Sequence, residues 1–205
     1  MLENIEINCH SSIKINKGVV IYFDPFKIEK EMHDADIIFI THNHYDHYSK
    51  EDIDKIIKED TIIVAPKTTE KTIEKTQNGI FVEPNKEYEI KGIKVKTVPA
   101  YNIYKQFHPK TNEWVGYIVN IDNINYYIAG DTDITPENKN VKCDVAFVPV
   151  GGTYTMDYKE AAELVNIIKP KIAVPTHYAC IVGNKEDGEK FKALLDKDIK
   201  CELLI

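Results

Sequence analysis

The segment Thr41-His42-Asn43-His44-Tyr45-Asp46-His47 places three imidazoles and a carboxylate within six residues. Neutral imidazole and carboxylate are good ligands for zinc, iron, manganese or nickel. The segment follows Asp36–Ile40, a compact apolar run with the pattern of a buried strand that stops at Thr41. The ligands are therefore expected on a strand-end loop. Alternation across His42 and His44 can aim two side chains at one ion. The turn through Asp46-His47 can aim the next two at a neighbouring ion. Three of the chain's seven histidines fall here, more than a merely solvated loop accounts for.

The elements that must position this loop are short. Ile5–Ile7, Ser12–Ile15 and Val19–Phe23 read as strands, with Asn16-Lys17-Gly18 as a turn. Ser49 or Lys50 opens a helix to about Glu59, with Ile53, Ile56 and Ile57 on one face. Ile62–Ala65 is a strand, and Thr68 or Thr69 starts a helix to about Thr76. Ile80–Glu83, Tyr88–Ile90 and Ile93–Val98 follow as strands. Val115–Ile121 and Asn125–Ala129 form a hairpin across Asp122-Asn123. Asp144–Val150 is a strand, Tyr158–Ile168 a helix, Ile172–Val174 a strand, Glu186–Leu195 a helix and Cys201–Leu204 a last strand. Strands followed by strand–helix units in both halves predict an αββα sandwich: two packed sheets with helices outside, in a single domain over residues 1–205.

Composition narrows the classes. With 205 residues, 43% hydrophobic and 29% charged, the chain is an ordinary globular one. A net charge of −7 argues against a general nucleic-acid or anionic-membrane surface. Every basic residue is lysine, so no guanidinium fork is available for phosphate or carboxylate. No apolar run reaches bilayer length, and Met1-Leu2-Glu3-Asn4, with no basic region followed by a long apolar run, is not expected to begin a secretory leader. Cys9, Cys143, Cys180 and Cys201 are scattered without CxxC spacing and are expected as reduced thiols of a cytoplasmic protein. The absence of Gly-x-Ser-x-Gly, with three serines in all, disfavours a serine hydrolase. No dinucleotide or Walker-type phosphate loop is present.

His-x-His-x-Asp-His resembles the signature of the metallo-β-lactamase superfamily. Gly130-Asp131-Thr132 after its strand is similar to the loop of the bridging aspartate, and Pro175-Thr176-His177-Tyr178 to the loop of the last histidine. Asn8-Cys9-His10-Ser11-Ser12, Phe23-Asp24-Pro25-Phe26 and the stretch Pro149–Met156 resemble the small metal-dependent hydrolases related to ascorbate-phosphate lactonase. The resemblance covers nearly the whole chain. It implies that His42 and His44 bind one ion, that Asp46, His47 and His177 bind a second, and that Asp131 bridges both. It also implies one or two divalent ions, most readily zinc, with manganese, nickel or iron as alternatives. The third histidine usual for the first ion is missing: Pro99-Ala100-Tyr101-Asn102 has Asn102 in its place. Either His108 replaces it, or the first ion has fewer protein ligands, or one firm ion is held. His108, Asn102 and His10 are thus candidate further ligands or substrate contacts, and Asp24 a carboxylate that orients a ligand histidine. His33, in an acidic stretch, is expected to be solvated.

Such a centre implies hydrolysis by a metal-activated water, with Asp46 as ligand and orienter of the nucleophile. The substrate implied is a small ester, lactone or phosphodiester, near a rim that Tyr101, Tyr104, Tyr154 and Tyr178 could shape. An iron-dependent redox enzyme and a non-catalytic metal-binding module are the alternatives. No sequence signal addresses the oligomeric state.

Overall fold

A computed structural model describes residues 1–71 and 78–205. A first sheet has six strands in sequence order: β1 (Ile5–Cys9), β2 (Ser12–Asn16), β3 (Val20–Phe23), β4 (Ile37–Phe39), β5 (Ile62–Pro66) and β6 (Gly79–Val82). The second sheet contains β7 (Glu87–Ile90), β8 (Ile93–Pro99), β9 (Val115–Ile121), β10 (Ile124–Ile128), β11 (Val145–Pro149), β12 (Ile172–Thr176) and β13 (Lys200–Cys201). Its order is β13-β12-β11-β10-β9-β8-β7. Among the described residues three α-helices accompany them: α1 (Lys50–Ile56), α2 (Tyr158–Ile168) and α3 (Asp187–Ala193).

The period-2 alternation of the strands builds the layers. In β4, Ile37 and Phe39 enter a core shared by both sheets, whereas Ile38 joins Ile53 and Ile56 of α1. In β11, Val145 and Phe147 enter the shared core, and Ala146 and Val148 meet Ala161, Leu164 and Val165 of α2. The αββα sandwich is the result. Phe23 stacks on Phe39 at 5.0 Å, Phe39 meets Tyr117 at 4.9 Å, and the Tyr117 hydroxyl donates to the Ile40 carbonyl (2.8 Å), tying the sheets directly beneath the histidine loop.

Most expected elements appear within a residue or two. Helix α2 has the expected bounds because Asp157 and Glu160 form a capping box at its start. Helix α1 ends at Ile56 rather than Glu59. Its last carbonyls are taken by the segment that leads into β4: Met32 N and His33 N donate to Lys55 O, and Ala35 N to Ile56 O. The helix expected from Thr68 or Thr69 is a 3-10 turn over Lys67–Thr69 as far as the described residues go; residues 72–77, on which the rest was expected, lie outside them. The last strand is Lys200–Cys201, since only Ile172 and Ala173 of β12 are paired with it. Among the described residues no helix is long and apolar enough to cross a membrane.

Strand direction decides where the loops go. β1 and β3 both run antiparallel to β2, and β3, β4, β5 and β6 are parallel. β8 and β10 both run antiparallel to β9, and β10, β11, β12 and β13 are parallel. Within each sheet, the strands preceding the candidate residues therefore run the same way. His10 follows β1, Asp24 follows β3, and His42 to His47 follow β4. His108 follows β8, Asp131 follows β10, and His177 follows β12. Ligand sites at the carboxyl ends of parallel strands follow from this connectivity.

Candidate metal centre

Three overlapping groups of side chains converge here: His42, His44 and His108; His42, His47 and Asp131; and His10, Asp46, His47 and His177. In each group the potential ligand atoms lie within 4.8 Å of one another. His108, and not Asn102, lies beside His42 and His44 at the position where the mid-chain histidine is missing. Asn102 stands behind His108 and is bonded to it. Its Oδ1 accepts from His108 N (3.0 Å) and pairs with His108 Nδ1 (3.1 Å), while its Nδ2 donates to Asp133 (3.1 Å) and to Tyr154 O (2.9 Å). With its polar atoms engaged, Asn102 fixes the His108 ring so that Nε2 faces Asp131 at 3.2 Å.

Asp24 lies against His47. It is fully buried and accepts from Thr41 N (2.8 Å), Thr41 Oγ1 (2.7 Å) and His47 Nδ1 (2.7 Å). Nε2 of His47 is thereby left toward Asp131, 3.3 Å away. The Thr41 hydroxyl hydrogen goes to Asp24, so His42 Nδ1 donates to Thr41 Oγ1 (3.0 Å) and its Nε2 turns to His44 Nδ1 (3.0 Å). His10 is buried, with Nε2 3.1 Å from Asp46 Oδ2 and its ring 3.7 Å from that of His177. Two glycines let the loops approach. Gly130 has φ +65° and packs on Thr41, where a Cβ would come within 3.1 Å. A Cβ on Gly151 would lie 2.1 Å from the His177 carbonyl.

The donor set fits a cation. Asp131 lies within 3.1–3.3 Å of ring nitrogens of His47, His108 and His177. Yet Asp131 Oδ1, Nε2 of His47 and His108, both nitrogens of His177 and Nδ1 of His10 are buried without a hydrogen-bond partner. Buried polar atoms are rarely left unpaired, and unpaired ones that converge on a point call for a ligand. The electrostatics agree. Burial, reinforced by charge on His47, holds His42 well below the ordinary histidine range; burial and His108 lower His44; and burial takes His10 down to about 4. These imidazoles are therefore neutral, as a metal ligand must be. Burial resists ionisation of Asp131, but His177 and His47 beside it pull it well below the carboxylate range. For Asp46, burial is outweighed by His10 and His47, and it falls to about 2. Burial opposes charge on His47 too, but Asp131 and Asp24 raise it well above the usual value, so metal uptake there must displace a proton.

Some participants are not visible in the sequence reading. Trp114 is 8% exposed, and its ring lies 4.8 Å from His42, 4.9 Å from His44 and 5.6 Å from His108. The available signal was its being the sole tryptophan, which says nothing of location. Asp133, also buried, accepts from Asn102, Ile103 N and Lys105, and so braces the His108 loop. The expectation of four reduced thiols is corrected: Cys9 and Cys180 form a disulfide, and Cys143 and Cys201 are free. Spacing along the chain could not reveal a pair 171 residues apart. Tyr101 and Tyr178 are buried packing residues, Tyr104 is exposed, and His33 is exposed with Nδ1 on Ile57 O. A surface concavity along β7–β10 contains none of the clustered histidines.

Trp114 makes the first group observable. Titrating the metal-free chain with nickel or copper is expected to quench its fluorescence strongly. His108→Ala is expected to shift the midpoint to roughly 10–100-fold higher metal, at least the cost of losing an outer partner of a ligand. Unchanged fluorescence on saturation would place no ion beside Trp114.

Comparisons with known proteins agree with this fold. The Beta-lactamase superfamily domain family matches residues 4–177. A UPF0173 metal-dependent hydrolase from Thermoplasma acidophilum is 32% identical over 210 residues, covering 94% of this chain and 92% of the relative. The crystal structure of a protein named as a metal-dependent hydrolase from Parabacteroides distasonis is 32% identical, covers 97% of this chain and 91% of that one, and has a TM-score of 0.84. A metallo-β-lactamase superfamily structure from Thermotoga maritima shares the fold at 22% identity and a TM-score of 0.66, covering 97% and 96% of the two chains.

Proposed function

The chain belongs to the metallo-β-lactamase superfamily, and from that footing we propose that it is a metal-dependent hydrolase with a dinuclear centre. We assign the first ion to His42, His44 and His108. The second goes to Asp46, His47 and His177, with His10 beside them and Asp131 between the two sets. The carrying observation is the group of buried, unpartnered ring nitrogens around one carboxylate. Imidazole and carboxylate without thiolate suit zinc first, and manganese, nickel or iron as well. When bound, the ions bring the pKa of a water toward neutrality and polarise a carbonyl or phosphoryl oxygen.

The chain's own groups do the rest. Asp131 supplies negative charge to both halves. Asp24 and Asn102 fix the rings of His47 and His108 and so spare the site reorganisation during reaction. Asp46 is 9% exposed and is held ionised by His10 and His47. It therefore accepts a hydrogen bond from the attacking water and orients it. The substrate is a small ester, lactone or phosphodiester.

The test is metal content of protein purified without chelator, followed by turnover on ester, lactone and phosphodiester panels before stripping, after stripping and after zinc is returned. Two equivalents of zinc, with hydrolysis lost and regained, is the expected result. Hydrolysis indifferent to stripping would overturn the mechanism, and a single ion at saturation would overturn the dinuclear assignment.

A further inference from the structure

Two cysteines adjoin the second group of ligands. Cys9 ends β1 and immediately precedes His10; Cys180 lies three residues beyond His177. Their disulfide joins the two loops, with Cα atoms 6.7 Å apart. The same loops meet through His177 N donating to His10 O (3.0 Å) and through the tilted contact of the two imidazoles. His10, His177 and Ala179 are all left-handed, with φ of 60°, 57° and 60°. Residues with a Cβ keep that conformation where their surroundings hold them there. The cross-link thus fastens a strained pair of loops whose side chains form one wall of the site.

The bond is also reachable. Cys180 is exposed, and Lys27 Nζ lies 3.4 Å from its sulfur. The other cysteines are of a different kind. Burial pushes the Cys143 thiol up to about 12 and the Cys201 thiol up to about 11, so both are unreactive thiols at neutral pH.

We propose that the Cys9–Cys180 disulfide is a redox-modification site that latches the second metal pocket and that dithiol reductants open. The proposal rests on the metal centre described above. In the opening step a thiolate of the reductant attacks the exposed Cys180 sulfur. The S–S bond breaks, and Cys9 leaves with the electron pair and takes up a proton. The reductant's second thiolate then displaces Cys180, which departs as a thiolate beside the Lys27 ammonium. The chain gains two electrons and one proton, Cys180 staying a thiolate, and the reductant is oxidised to its own disulfide. Freed from the cross-link, the His10 and His177 loops regain conformational freedom, and their ligands are no longer held ready for the ion.

The test compares zinc release to a chromogenic chelator from three samples. These are the unreduced chain, the chain reduced with dithiothreitol, alkylated and freed of reductant, and the Cys180→Ser variant. Thiol titration after denaturation should find two thiols in the unreduced chain and four after reduction. Release is expected to be about ten-fold faster from the reduced chain and from Cys180→Ser, within the range for loss of a group that supports a ligand. Re-oxidation of unalkylated reduced protein by glutathione disulfide should restore the slow rate, and Cys143→Ser should leave it unchanged. If Cys180→Ser does not fold, the alkylated wild type carries the comparison alone. Four thiols in the unreduced chain, or equal release rates, overturn the latch while leaving the metal centre intact. A chain that binds no zinc in either redox state overturns both.

Discussion

Replacing Asp131 by alanine is expected to cost both ions and to lower hydrolytic turnover by roughly a thousand-fold or more, about 4 kcal/mol of transition-state stabilisation. Asp131 Oδ2 lies 3.1 Å from His177 and 3.2 Å from His108, and Oδ1 lies 3.3 Å from His47. No other carboxylate in the cluster belongs to so many of these contacts. Without it the converging imidazoles lose the anion that offsets a cation's charge, and the two halves lose the group common to both. Asp131→Asn keeps the shape and removes the charge. It should retain the fold, bind zinc weakly and stay nearly inactive, which separates electrostatics from packing. Elemental analysis, turnover and circular dichroism check the three parts. An Asp131→Ala variant that keeps full zinc and full turnover would remove the bridging role.

The largest stability effect is expected at Asp24, which touches no substrate. Its carboxylate is completely buried and accepts from a backbone N–H, a hydroxyl and an imidazole, all at 2.7–2.8 Å. Asp24→Ala leaves Thr41 N and His47 Nδ1 without their partner in a place water does not reach. Breaking a buried pair from one side costs about 3–5 kcal/mol. In a chain of this size that lowers the melting temperature by roughly 10 °C, at about 2–4 °C per kcal/mol. Zinc affinity should fall as well, by roughly 10–100-fold, because His47 loses the bond that sets its tautomer. Calorimetry on metal-free protein measures the first effect and zinc titration the second. Asp24→Asn, which preserves an acceptor, should lie between. A metal-free Asp24→Ala variant as stable as the wild type would show that the network contributes nothing to the fold.

What the sequence determined by itself was local. The run Asp36–Ile40 and the ligands after it announce a strand and a strand-end loop, because alternation and composition are properties of neighbours. Asp157 and Glu160 set the start of α2 through bonds spanning three residues. The Asp122-Asn123 turn closes the β9–β10 hairpin with φ of 52° and 61°, which these side chains tolerate. The resemblance then placed Asp131 and His177 in the same order along the chain. Whether His108 or Asn102 faced the site was decided by the fold of their loop, where Asn102 N donates to His108 O (2.8 Å) and Asp133, from another strand end, braces the turn. The contact of Trp114 with three histidines and the pairing of Cys9 with Cys180 were decided by the packing of one sheet on the other. Periodicity tells which way a side chain faces its own strand's surroundings. It carries no information on which strand end of the opposite sheet will lie across from it, since that depends on how the two apolar faces settle together.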